Sequence, residues 1–132
     1  PVGVKSVLGL VDWVFVNERE LERLTGLRGF EGAERLLEEG ARMVIVKRGG
    51  EGAILAGRGL RLEVKAPRLG EPIDVVGTGD AFDAAFNVYY MELGDPLKAL
   101  KHGVAAGALK TRLRGSSNMP SREDVERLAS TL

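Results

Sequence analysis

The segment Ile73-Asp74-Val75-Val76-Gly77-Thr78-Gly79-Asp80-Ala81-Phe82 decides the fold, because it reads as a short apolar strand joined to a helix through glycines and ends on a carboxylate. Gly77 and Gly79 permit a sharp turn and close approach of the backbone to a ligand. The free N–H groups of the first helical turn then present partial positive charge, which suits a phosphate. Asp80 falls where such an anion and a second reactant would meet. A carboxylate in a first helical turn also serves the helix dipole with no ligand present, so the segment alone leaves both readings open.

Working outward, Phe82, Phe86, Tyr89 and Leu93 recur at helical spacing after the turn, and Ala81, Ala84 and Ala85 allow close packing. The helix is expected to end at Gly94. Asp95-Pro96 starts another, with Asp95 as N-cap and Pro96 in the first helical position, leading to the closely packed run Val104–Leu109. Ser121 opens a last amphipathic helix with a capping-box-like start. Upstream, Leu8 to Val16 is rich in β-formers and reads as a strand covered on both faces. It runs into Asn17, a cap for a polar helix Glu18 to Leu24 ended by Thr25-Gly26. A second helix spans Phe30 to Glu39 and stops at Gly40. Met43 to Lys47 is a second buried strand, so strand, helices and strand form the crossover that parallel strands require. Ala53–Leu55 and Leu60–Val64, separated by Gly57-Arg58-Gly59, read as a hairpin.

Composition narrows the function classes. The chain has 132 residues, 44% hydrophobic and 29% charged, enough for one domain with a real core. Lys plus Arg equal Asp plus Glu at 19 each, so no bulk positive field argues for nucleic acid or an anionic membrane, and binding is expected at a local site. The absence of cysteine excludes a disulfide framework and Cys-ligated zinc. No apolar run has the length of a membrane span or the pattern of a secretory signal, so a cytoplasmic location is the expectation. The first residue is Pro1 rather than Met, which points to an N-terminus processed, engineered or cut from something longer.

In this order the motifs resemble the ribokinase-like (PfkB) carbohydrate kinases, whose signature D-T-T-G-A-G-D-A-F stands here as Asp74 to Phe82. Asn17-Glu18-Arg19-Glu20 is similar to the family's N-x-x-E motif, and Lys47-Arg48-Gly49-Gly50-Glu51-Gly52 resembles its nucleotide-side turn. Lys110 to Gly115 resembles a T-R-x-G segment shifted by about one residue. The resemblance runs from about Leu10 to Leu128 and corresponds to the C-terminal half of a typical member. It implies a three-layer α/β/α sandwich truncated to that half, with a mostly parallel sheet and a hairpin, residues 1–132 forming a single nucleotide-binding domain.

The resemblance also implies roles. Asp80 matches the catalytic base, and Gly77, Thr78 and Gly79 match the anion hole. Thr78 stands where alanine is commoner, which keeps the backbone N–H and adds a hydroxyl. Lys47, Gly49 and Gly52 would lie along the nucleotide. Asn17 and Glu20 match residues that organise Mg2+ and its waters, and Asp74 with the Val76 carbonyl matches part of a monovalent-cation site, for K+. The residues themselves leave plainer alternatives: Asn17 as an N-cap, Glu20 on a solvated face, Lys47 ending its strand in water, Asp83 as a first-turn charge and His102 in a structural or surface role.

The expected function is an ATP-dependent phosphotransferase of sugar-type hydroxyl groups, using ATP and Mg2+, with the half carrying most sugar contacts absent. The alternative is a non-catalytic nucleotide-binding or assembly module that keeps the half-fold, and a third reading is a structural remnant. Half of a parallel sheet leaves an open strand edge and apolar surface. We therefore expect a homo-oligomer, or a partner chain supplying the missing half, with the Leu8 to Val16 or Met43 to Lys47 strand near the contact.

Overall fold

The computed structural model describes residues 13–115 and 117–132. They divide into two compact units, one reaching to Arg48 and including Ala53–Glu63, the other made of Gly49–Gly52 and Val64–Leu132.

The first unit is α/β. Strand β1 (Trp13–Asn17) leads into helices α1 (Glu18–Thr25) and α2 (Gly29–Glu38), then β2 (Met43–Lys47), β3 (Ala53–Gly57) and β4 (Leu60–Val64). The sheet order is β1-β2-β3-β4. β1 and β2 run parallel, with Trp13 opposite Met43 and Asn17 opposite Lys47, as the helical crossover demands. β2 and β3 run antiparallel, and Arg58-Gly59 turns β3 into β4 with Gly59 at φ 68°, so the sheet is mixed. The N-terminal part of the Leu8 to Val16 strand lies outside the described residues. β2 sits between β1 and β3 and offers no free edge, which removes it as an open strand for association; β1 pairs only with β2 among the described residues.

The core of this unit follows from alternation along the strands. Val14, Val16, Val44, Val46, Ile54 and Ala56 pack with Leu21 and Leu24 of α1 and Ala33 and Leu36 of α2. Ile45 and Leu55, on the opposite face, are fully buried too, so the continuous apolar runs of β2 and β3 mark strands covered on both sides. α1 begins with a complete capping box: Asn17 Oδ1 accepts from the Glu20 N–H at 2.8 Å, and Glu20 Oε1 accepts from the Asn17 N–H at 2.9 Å. It ends at Gly26, left-handed at φ 74°, whose N–H reaches the Glu22 carbonyl.

The second unit is built on helices α3 (Thr78–Leu93), α4 (Pro96–Lys110) and α5 (Arg122–Ala129). Gly94 closes α3 in the left-handed region, and the Asp95 carboxylate accepts from Leu97 and Lys98 to open α4. Ser121 caps α5 through the Asp124 N–H, which is half of the box expected there. Phe82, Phe86 and Tyr89 are buried, whereas Leu93, expected in the same stripe, is 48% exposed, because the packed face of α3 gives out before its last residue. A methyl group at Gly103 would sit 3.2 Å from the Phe82 ring, so α3 and α4 approach closely there. His102 stacks on Tyr89 with ring centroids 3.9 Å apart and keeps Nδ1 within 2.6 Å of the Lys98 carbonyl, a structural placement.

Ile73 to Val76 is not a strand. The N–H groups of Ile73 and Asp74 both donate to the Thr111 carbonyl, at 2.7 and 3.1 Å, instead of entering a ladder. Its β-branched residues carry strand propensity, but propensity needs a neighbouring strand to act on, and here Val75 is left 66% exposed. Among the described residues no helix is long and apolar enough to cross a membrane.

Candidate functional site

In the second unit, the candidate residues gather where the loop enters α3. Gly77 is the N-cap, left-handed at φ 79°, which only glycine adopts freely. An N-cap side chain normally accepts from the second or third helical N–H group, as those of Asn17, Asp95 and Ser121 do for their helices. Gly77 has no side chain to do so. The N–H groups of Gly79 and Asp80 accordingly have no acceptor among the described residues. Thr78 differs: its N–H points to the Val75 carbonyl at 3.4 Å, and its hydroxyl donates to the same oxygen at 3.1 Å. Open amides at the positive end of a sixteen-residue helix are chemically able to receive an anion, and the side chain of Asp80 is exposed beside them.

The loop before this turn is tied down by Asp74. Its Oδ1 accepts from the Val76 N–H at 2.9 Å and its Oδ2 from the Gly115 N–H at 3.0 Å. These two amides, Gly115 first, hold the carboxyl below its usual value, and the positive charge of Lys110 adds to the effect. Arg112 donates to the Glu71 carbonyl, a further tie between the same two loops. Gly115, Thr111 and Lys110 are the residues to which motif reading gave no role. The shifted T-R-x-G resemblance pointed to the segment, but a bond spanning 41 residues has no local signature.

In the first unit, Asn17, Glu20 and Lys47 come together. Asn17 and Lys47 are register partners at the carboxyl ends of the two parallel strands, the end at which open α/β sheets bind ligands. The capping box occupies Asn17 Oδ1 and Glu20 Oε1 with backbone donors, so the N-cap reading of Asn17 holds in full. Gly49 and Gly52 lie in the second unit, around a single 3-10 turn (Gly49–Glu51) closed by the Gly52 N–H on the Gly49 carbonyl at 3.0 Å. Gly52, at φ 98°, passes so close to Val64 that a Cβ would lie 2.0 Å from its carbonyl oxygen. Among the described residues there is no group of three or more His, Cys, Asp or Glu that could hold a metal ion. Asn17 and Glu20 offer oxygen donors of the kind Mg2+ takes when phosphate oxygens and water complete its shell.

Comparison with known proteins gives one answer. The pattern of the pfkB family carbohydrate kinases matches residues 2–123. Deoxyribokinase of Salmonella typhi is 34% identical over 119 residues, covering 85% of this chain and 39% of that protein. The structure of ribokinase from Thermotoga maritima superposes with a TM-score of 0.87 at 30% identity, covering 96% of this chain and 44% of that one. An Escherichia coli protein assigned as ribokinase II, solved with ATP and Mg2+, gives a TM-score of 0.88 at 28% identity over 99% of this chain and 43% of that one. The chain thus has the ribokinase fold and spans about two fifths of the length of the curated relatives it matches. With the glycine turn, the helix it opens and the aspartate beside it in the expected order, the chain belongs to the pfkB family of carbohydrate kinases.

Proposed function

We propose that this chain carries the phosphate-binding and proton-accepting part of an ATP-dependent phosphotransferase whose acceptor is a sugar-type hydroxyl. The observation that carries the reading is the α3 N-terminus, where a glycine N-cap leaves the Gly79 and Asp80 amides open next to the Asp80 carboxylate. Those amides, with that of Gly77, stabilise the charge spread over the transferring phosphoryl oxygens, while Thr78 braces the turn through Val75. Asp80 accepts the proton of the acceptor hydroxyl as that oxygen bonds to the γ-phosphorus and the bond to ADP breaks. Lys47, Gly49 and Gly52 lie along the nucleotide. Asn17 and Glu20 would order water around Mg2+, whose charge would offset that of the phosphates, the remaining Glu20 oxygen being the atom free of the capping box.

The acceptor is positioned by residues outside this chain, because the relatives are more than twice as long. Ile73, Val75 and Val76 on the loop and Val88 and Met91 on α3 are apolar and between 45% and 78% exposed, which supports a second chain covering them. The alternative, a non-catalytic nucleotide-binding or assembly module, is favoured by the same share of missing length. Calorimetric titration with ATP and Mg2+, followed by a kinase assay across pentoses, hexoses, keto-deoxy sugar acids and nucleosides, separates the readings. Binding with turnover supports the kinase, binding without turnover the module, and no binding sinks both. A purely monomeric species in light scattering at micromolar concentration contradicts the proposed association.

A further inference from the structure

Lys110 is the one charged side chain with no exposed surface among the described residues. It ends α4 directly after the apolar run Val104-Ala105-Ala106-Gly107-Ala108-Leu109. A lysine in a last helical turn ordinarily serves the helix dipole from water. This one turns inward, and its Nζ donates to the carbonyl of Gly115, past the end of the helix, at 2.6 Å. A buried ammonium is costly unless an opposite charge and hydrogen bonds offset it. The offset is within one residue, because the N–H of the same Gly115 is held by Asp74 Oδ2 at 3.0 Å. The other oxygen of Asp74 holds the Val76 N–H, and Val76 is followed by the Gly77 cap of α3. Ammonium, Gly115, carboxylate and Val76 therefore form one continuous line of bonds ending at the phosphate turn.

We propose that Lys110 is a positioning residue: its ammonium supplies, from within the chain, the positive charge that locks the Asp74 loop to the Gly115 loop and keeps the phosphate turn in shape without a bound monovalent cation. Both Asp74 oxygens already have amide donors, and the charge that a K+ ion would bring is covalently attached. The lowered pKa of Asp74, to which Lys110 contributes, agrees with this arrangement. The effect on the phosphate turn rests on the function proposed above, whereas the locking of the loops does not.

Amide hydrogen exchange tests the lock without any nucleotide. In wild-type protein, exchange at Ile73, Asp74, Val76 and Gly115 should be the same in KCl and in tetramethylammonium chloride of equal ionic strength. Lys110→Met should raise exchange at those amides about tenfold, the loss of roughly one charge-assisted hydrogen bond, while the buried amides of Val104 and Ala105 stay protected. Protection of those loop amides that depends on KCl in the wild type, or an unchanged loop in Lys110→Met, overturns the proposal; should the variant not fold, the wild-type salt comparison decides. Calorimetry with ATP and Mg2+ then reads the turn: wild-type affinity should be indifferent to KCl and Lys110→Met about tenfold weaker. Absence of wild-type ATP binding in either salt refutes the phosphate-site reading instead, and leaves the exchange result to judge Lys110.

Discussion

Replacing Gly52 with alanine tests the packing that supports the 3-10 turn. A Cβ there would meet the Val64 carbonyl oxygen at 2.0 Å, the Ala66 nitrogen at 2.8 Å and the Lys65 Cα at 2.9 Å, all backbone atoms that cannot swing aside. Carbon and oxygen settle at about 3.3 Å or more, so the Val64–Ala66 segment must move by roughly an ångström, an overpacking cost of about 1–3 kcal/mol. The φ of 98° adds backbone strain of about 1–3 kcal/mol for a residue with a Cβ. Together these give about 2–6 kcal/mol, a large part of a domain stability of about 5–15 kcal/mol. With a urea m-value of about 1–3 kcal/mol per molar, the midpoint should fall by about 2 M.

Two neighbours act as controls in the same urea titration followed by circular dichroism. Gly49 has φ 55° and open space around it, so Gly49→Ala should cost only the left-handed strain, about 1–2 kcal/mol. Gly50 has neither a positive φ nor a neighbour within 4 Å, and Gly50→Ala should lie within about 0.5 kcal/mol of wild type. A Gly52→Ala variant within 1 kcal/mol of wild type, or indistinguishable from Gly50→Ala, would refute the reasoning. Because no nucleotide is present, the result isolates the structural need for glycine from any contact with a ligand.

Asp80→Asn should lower phosphoryl transfer by about 10²–10⁴-fold while leaving ATP affinity within about twofold, the pattern of a lost general base, and retained turnover in a steady-state assay would remove that role. Phe86→Ala, at a fully buried position in α3, should destabilise the protein by about 3–5 kcal/mol in the urea titration. Asp74 has a folded pKa below its unfolded value, so its contribution to stability is complete above about pH 4 and is lost as pH falls through the lowered folded value. The Val76 and Gly115 amide shifts followed by NMR should report that midpoint, and one at or above the ordinary carboxylate value contradicts the assigned bonds.

Local chemistry made most element ends legible in the sequence. Asn17, Asp95 and Ser121 can act as caps wherever they precede a helical run, and Gly26 and Gly94 take the left-handed φ that ends one, so these boundaries need no tertiary information. The buried strands were equally plain from continuous β-branched runs such as Met43–Lys47. Ile73–Val76 misled because its apolar, β-branched composition is that of a strand, while its actual partner is a carbonyl after a distant helix. Leu93 fits the spacing of the core stripe, but where a helix stops being covered depends on its neighbours and not on its own period. The glycine turn that opens α3 with Asp80 in its first turn could be read because that geometry depends on adjacent residues. Lys110 could not, since nothing in a string of letters distinguishes an inward lysine from a solvated one.

The most direct measurement is a titration of 15N-labelled protein with ATP and Mg2+, followed by the amide shifts of Gly77, Gly79 and Asp80. The account predicts saturable, downfield movement of these three resonances, larger than that at the capped N-termini of α1 and α4, with smaller changes at Thr78. Shifts confined to other parts of the chain, or none at saturating nucleotide, would contradict it.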